Sequence, residues 1–217
     1  MTQLELQIHL ETQIKNYMCY EIDTFPYIQE AIKRTAMCLG ASTSKYTHDC
    51  MKDQVPFSVF NSVQYCIFLY QMARVSYEMD GDGVNAEKFY YLNKVMNSVD
   101  LFYAIKLPPI WGAEHPMGSV MGRAEYSDYF FFYQGCTVGG NKGNYPTLGR
   151  MVIMYSNSKI LGHTEIGDNV IIAANTYIKD EKIPDNSIVF GQTPKLIIKQ
   201  KTQEEIRNMV GHIWRIQ

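Results

Sequence analysis

The stretch ILGHTEIGDNVIIAANTYI, residues 160–178, places Ile160, Ile166, Ile172 and Ile178 six residues apart. A period of six fits neither the alternation of a half-buried strand nor the 3.6-residue turn of a helix. It is the spacing of a hexapeptide parallel β-helix, in which every sixth side chain points into a narrow triangular core. Counting backwards gives Met154 and Leu148, and, after a longer interval, Val138, Phe132, Tyr126 and Val120. All ten positions are apolar, and at three hexads per coil they predict a little over three coils. Gly162, Gly167, Ala173 and Ala174 are the small residues expected where such a chain bends or a ligand approaches its backbone.

The longer interval, GGNKGNYPT at 139–147, is four residues longer than a hexad requires and reads as a glycine-rich loop extruded from the coil. Beyond the repeats, Thr202 and Glu205 form a capping box for a terminal helix. Upstream, the apolar spacing is helical. Pro26 opens a helix that carries Ile28, Ile32, Thr35 and Leu39 on one stripe and stops at Gly40. Residues 60–79, with Val63, Ile67 and Tyr70 on one face, pair across DGDG with a second helix carrying Phe89, Leu92, Val95, Met96 and Val99. Residues 1–20 fit strand alternation (Leu4, Leu6, Ile8, Leu10) and a helical step (Leu10, Ile14, Tyr17), with helix favoured. The fold class is therefore α+β: a helical domain over 1–105, a left-handed parallel β-helix over 106–200 and a C-terminal helix over 201–217.

Composition narrows function. A 217-residue chain with 46% hydrophobic residues supplies a real core, and a net charge of −2 offers nucleic acid or anionic lipid no basic surplus. The start lacks a basic n-region and an apolar h-region, and no apolar run is long enough to span a bilayer, so a cytoplasmic protein is expected. Five scattered cysteines without C-x-x-C spacing read as reduced, buried structural thiols. Asp80 and Asp82 begin like a calcium loop, but Val84 and Tyr91 occupy its fifth and twelfth positions, which excludes that reading. Only His115 and His163 of the five histidines lie in or beside the repeats, so no metal site is expected. Nucleophile-elbow, Walker and dinucleotide motifs are missing from the sequence. His115, where helical and repeat regions meet and with Gly112, Gly118 and Gly122 around it, is the best candidate for a general base.

Three motifs then carry a resemblance. His115-Pro-Met-Gly118-Ser-Val120-Met-Gly122 enters the β-helix, Thr137-Val138-Gly139-Gly140 precedes the loop NKGNYP, and SKILGHTEIGDNVIIAANT follows it. This arrangement resembles serine acetyltransferase over roughly residues 55–199. The resemblance implies that His115 is the catalytic base and that Asp100, fifteen residues earlier, orients it. It implies that Glu114 stands where the family has an aspartate, and that Asn144 and Tyr145 replace an arginine and a histidine that grip the acceptor. Asp53 lies two positions out of register with a further acceptor-binding aspartate. Acetyl-CoA is the implied co-substrate, along a groove between neighbouring β-helices of a homotrimer, which the helical domain would join into a dimer of trimers. Gly139, Gly140, Lys142, Ser156, Ala173 and Ala174 match that groove, with Lys195 and Lys199 as phosphate partners. The aromatic run 129–133 is expected to bury one face against symmetry mates, with Phe132 inward.

The expected function is transfer of acetyl from acetyl-CoA to the hydroxyl of L-serine or a related small acceptor. Two alternatives remain: a sugar O- or N-acetyltransferase, which an amide and a phenol at 144 and 145 suit, and a non-catalytic oligomeric scaffold.

Overall fold

The computed structural model describes residues 2–43 and 57–215. His48, Cys50 and Asp53 lie outside the described residues.

Four helices precede the repeats. α1 (Gln3–Met18) opens on a capping box between Thr2 and Glu5 and buries Leu6, Leu10 and Ile14, while Leu4 and Ile8 face outward. The helical spacing, and not the alternation, is thus the one the fold uses. α2 (Phe25–Gly40) has Pro26 in its first turn and buries Ile28, Thr35 and Leu39. α3 (Ser62–Asp80), capped by Asn61, is buried on nearly every side and ends at Gly81 in the left-handed region. α4 (Ala86–Asn97) buries Phe89 and Leu92. Its apolar stripe is narrower than expected, because Val95 and Met96 are exposed and only Val99, beyond the helix, rejoins the core.

The β-helix has three faces. The first stacks β1 (Trp111–Ala113), β4 (Phe130–Phe132), β7 (Val152–Met154), β10 (Val170–Ile172) and β13 (Ser187–Gln192). The second stacks β2 (Val120–Met121), β5 (Thr137–Gly139), β8 (Lys159–Leu161) and β11 (Tyr177–Lys179). The third stacks β3 (Glu125–Tyr126), β6 (Thr147–Leu148), β9 (Glu165–Ile166) and β12 (Lys182–Ile183). Along each face the strands are parallel and in register, giving the left-handed parallel β-helix that the hexad period predicts.

The coil has four complete turns and the first face of a fifth, more than the expected three and a fraction. The additional turns hold their inward residues at uneven spacing. Ile183 follows Ile178 by five residues, and Met121 precedes Tyr126 by five. Met121 registers with Val138 and is buried, whereas Val120 is 40% exposed. Val120 is therefore not an inward position. The other nine hexad positions line or pack against the core.

Gly167 shows what the small residues do. A Cβ there would stand 2.2 Å from Asp185 Oδ1 and 2.7 Å from the Asp185 amide, so adjacent coils meet backbone to backbone. Asn157 and Asn175 at one corner, and Asn169 and Asn186 at another, adopt the left-handed conformation that asparagine tolerates.

β14 (Lys195–Gln200) turns back antiparallel on β13, and its Leu196 packs against the core. α5 (Gln203–Val210) then lies on the first face, where Ile206, Val210, Ile213 and Trp214 cover Phe131, Ile153 and Ile171. This corrects the expectation for the aromatic run. Phe130 and Phe132 point inward, and Phe131 lies 5.6 Å from the Trp214 ring, edge to face. The chain's own C-terminal segment, and not a symmetry mate, buries it.

Thr202 Oγ1 accepts the Glu205 amide at 3.1 Å, and the Glu205 carboxylate accepts the Thr202 amide at 2.8 Å. Thr202→Ala is expected to cost about 1 kcal/mol of local stability. Faster amide exchange in α5, with β7 and β10 unchanged, is the measurement that checks it.

The thiols split. Burial raises Cys38 to about 11 and Cys66 to about 12, as befits inert core residues. Cys136 is buried too, but Cys19 is exposed, contrary to the expectation that the cysteines are buried. Among the described residues, no helix is long and apolar enough to cross a membrane, and no cluster of three metal-ligating side chains occurs.

Candidate active site

The first corner of the first coil differs from those above it. Ala113 and Met121 are eight residues apart, whereas the equivalent Phe132 and Val138 are six apart. The two additional residues push the turn outward, and His115 enters it with φ 50, a left-handed conformation uncommon for a side-chain-bearing residue. Gly118, at φ 72, brings the chain back and donates its amide to Ser98 O at 2.8 Å. The His115 side chain is 56% exposed, with Nε2 3.8 Å from Glu114 Oε1.

Asp100 reaches the same turn from below. It forms a parallel bridge to Val120, donating its amide to Ser119 O at 2.9 Å and accepting the Met121 amide at 3.0 Å. Its carboxylate is gripped from α4: Lys94 Nζ lies 2.7 Å from Oδ2, and the Tyr90 hydroxyl donates to Oδ1 at 3.0 Å. Asp100 holds the Lys94 ammonium above its usual range, and burial, joined by the Asp100 charge, raises the Tyr90 phenol. Asp100 and His115 thus belong to opposite ends of one corner. Tyr90 and Lys94 were not expected from the sequence, and their four-residue spacing on a helix is the one signal that points both at a common target.

A column of residues climbs from Glu114 along this edge. The amides of Glu114, Tyr133, Tyr155 and Ala173 each donate to the last inward residue of the strand above, namely Phe132, Met154, Ile172 and Val189, at 2.9–3.1 Å. The Tyr133 and Tyr155 rings stack at 5.0 Å and 7°. Burial, and next the Glu114 charge, raise both phenols. Each tyrosine follows an inward hexad residue, a register from which their common edge is readable. Ser156 and Ala174 sit one residue further round this corner, so Glu114, Ser156, Ala173 and Ala174 share an edge with His115.

The glycine-rich loop occupies the second corner, at the other margin of the second face. Asn141 and Asn144 exchange backbone hydrogen bonds at 2.9 and 3.0 Å around Lys142 and Gly143, with φ 50 and 82, a tight turn of two left-handed residues. Lys142 is therefore at the exposed tip. Gly140 lies against Tyr145: a Cβ there would come 2.5 Å from the Tyr145 ring. Asn144 and Tyr145 are exposed, and Arg123 Nη1 donates to the Tyr145 hydroxyl at 3.0 Å with its guanidinium 5.0 Å from the ring centroid. Arg123 was not anticipated, since only the fold brings residues 123 and 145 together. Lys195 and Lys199 are exposed on β14, far up the coil, with Lys199 Nζ 5.2 Å from the Phe190 ring centroid.

A family model described as Bacterial transferase hexapeptide (six repeats) matches residues 145–180. A serine acetyltransferase of Helicobacter pylori is 31% identical over 132 residues, covering 54% of this chain and 75% of that protein. A serine acetyltransferase of Synechococcus elongatus is 30% identical over 114 residues, covering 50% of this chain but only 46% of that protein. Among solved structures, serine acetyltransferase from Vibrio cholerae superimposes with a TM-score of 0.67 at 20% identity, covering 86% of this chain and 72% of that one. A serine acetyltransferase in complex with CoA gives a TM-score of 0.65 at 20% identity, covering 80% and 72%. These superpositions speak to the fold.

Proposed function

Since the chain belongs to the serine acetyltransferase family, we propose that it transfers an acetyl group from acetyl-CoA to the hydroxyl of serine, with His115 as general base. The observation that carries this reading is the enlarged first corner, which turns an exposed imidazole out of the coil beside Glu114.

A neutral hydroxyl is a poor nucleophile, and attack on a thioester carbonyl requires that its proton leave as the C–O bond forms. His115 takes that proton. The imidazolium then returns it to the departing CoA thiolate, so the imidazole ends neutral and the products are the acetyl ester and free thiol. Asp100 is a positioning residue: fixed by Lys94 and Tyr90, it steadies the corner from below.

The remaining candidates fall into two sets on the two margins of the second face. Glu114, Ser156, Ala173 and Ala174 run up the His115 edge; Gly139, Gly140, Lys142, Asn144 and Tyr145 form the other. For both sets to act on one substrate pair, the loop of one subunit must face the first corner of the next, which the homotrimer supplies. Acetyl-CoA then lies along the His115 edge, its thioester near Glu114 and its phosphates towards Lys195 and Lys199. Family members solved with CoA and with cysteine support this assignment of ligands.

Arg123 favours an acceptor carrying a carboxylate. Asn144 and Tyr145 offer no cation, but the guanidinium beside Tyr145 restores one at the loop. Arg123→Leu is expected to raise KM for serine roughly tenfold or more, the loss of a charge-assisted contact, with kcat changed far less. Thiol release from acetyl-CoA with serine and with neutral sugars, in both proteins, decides the matter. Turnover with sugars and none with serine would overturn the serine reading in favour of a sugar acetyltransferase, for which the exposed Asn144 amide speaks.

A further inference from the structure

The third corner of the β-helix, the C-terminal segment and the residue that follows α2 enclose a hollow of about 520 Å3 that the proposed transfer does not use. Three arginines from separate parts of the chain line it: Arg150 from the corner, Arg207 from α5 and Arg215 from the tail. Asp168 is the one acid on its wall, and its Oδ1 already accepts the Arg150 backbone amide at 2.7 Å. The Arg150 guanidinium lies 4.8 Å from the Tyr129 ring centroid, which keeps it over the hollow. The Arg215 amide donates to Ala41 O at 2.9 Å and anchors the tail there.

In the helical region the chain pairs its arginines with acids. Arg34 and Arg74 both pair with Glu78, and Arg34 pairs with Glu30 as well. Among the described residues, no acid forms an ion pair with Arg150 or Arg207. The Arg150 and Arg207 guanidinium groups, brought to one hollow without an acid paired to either, are thus open to an anion that bridges them. Guanidinium forks match the oxygens of phosphate and carboxylate groups and hold them by paired charge-assisted hydrogen bonds. The hollow has the size of a small-molecule site and exceeds what a single tetrahedral oxyanion fills.

We propose that this hollow binds a small anion bearing two or more phosphate or carboxylate groups, gripped by Arg150 and Arg207 and clamping the C-terminal helix onto the β-helix. Ligation of groups on both the corner and α5 makes binding favour the docked helix, so the anion raises the melting temperature by mass action.

The test is thermal unfolding of the whole protein with pyrophosphate, citrate or inorganic phosphate, at ionic strength held constant with sodium chloride. A saturating rise in Tm with pyrophosphate or citrate is expected, and the stronger of the two identifies phosphate or carboxylate as the preferred group. Arg150→Ala and Arg207→Ala should each weaken the apparent affinity roughly tenfold or more. A Lys195→Ala, Lys199→Ala double variant should respond as the parent does, which separates this site from the proposed CoA groove. Should an alanine variant fail to fold, Arg150→Lys keeps the charge without the fork and is expected to weaken binding at an unchanged anion-free Tm. A non-saturating response of equal slope in parent and variants would mean ionic screening alone and would overturn the proposal, as would loss of the response in the Lys195→Ala, Lys199→Ala double variant.

Discussion

His115→Ala lowers acetyl transfer by about 10²–10⁴-fold, the usual contribution of a positioned general base, and leaves CoA affinity within a few-fold. The expectation follows from where the side chain stands. It hangs from an enlarged corner at the foot of the coil, while Lys195 and Lys199, the proposed phosphate partners, belong to the hairpin beyond the last complete turn. Removing the imidazole therefore touches the reacting hydroxyl and not the nucleotide. In kinetic terms kcat and kcat/KM for the acceptor fall together, the pattern of an interaction made chiefly in the transition state. Glu114→Gln is the companion measurement, because the Glu114 carboxylate lies 3.8 Å from His115 Nε2. That variant should retain most of the rate, since the carboxylate neighbours the imidazole without touching the proton in transfer. Transfer by His115→Ala at the parent rate would remove the imidazole from the mechanism altogether.

What the sequence discloses and what it hides divide along one physical line. Phe132, Val138, Leu148, Met154, Ile160, Ile166, Ile172 and Ile178 are legible because a triangular core admits only apolar side chains at the inward position of each strand, whatever their neighbours do. Met121 escapes because it precedes Tyr126 by five residues, which shifts the inward position off the exact multiple of six and leaves Val120 exposed. A separate irregularity, the two additional residues between Ala113 and Met121, displaces His115. The role of Phe131 depends on Trp214, more than eighty residues later, and no local pattern announces that pairing. Asp100 is similar: its bridge to Val120 is a tertiary contact, and spacing alone does not join them. Residue types at a site are thus visible in the chain, whereas the groups that hold them, Tyr90, Lys94 and Arg123, become visible only when helices and corners are brought together.

Phe132→Ala is the structural counterpart with the largest expected effect, a loss of about 3–5 kcal/mol. Phe132 is wholly buried between Ala113 below and Met154 above, its ring parallel to Trp111 at 6.2 Å and 5° and stacked on Phe130 at 5.8 Å. Ala113 is too small to fill its own level, so the Phe132 ring supplies volume to the first coil as well as the second. Truncation leaves a void that parallel strands, fixed by their ladders, cannot close. In a solenoid each coil is supported by its neighbours, and loss of one interface weakens the end beyond it most. The first coil is that end. Urea unfolding should therefore show a lower midpoint and an early change in Trp111 fluorescence, ahead of the loss of β-structure in the upper coils. Function follows the same path, because Phe132 O accepts the Glu114 amide at 3.1 Å and so anchors the start of the His115 corner. Ile178→Ala, placed near the opposite end of the coil, loses stability by about 2–5 kcal/mol without loosening that corner. The two variants together separate the stability of the coil from the geometry of the base: a rate loss confined to Phe132→Ala, measured where both proteins are folded, ties the core of the first two coils to the position of His115, and an equal rate loss in both would break that link.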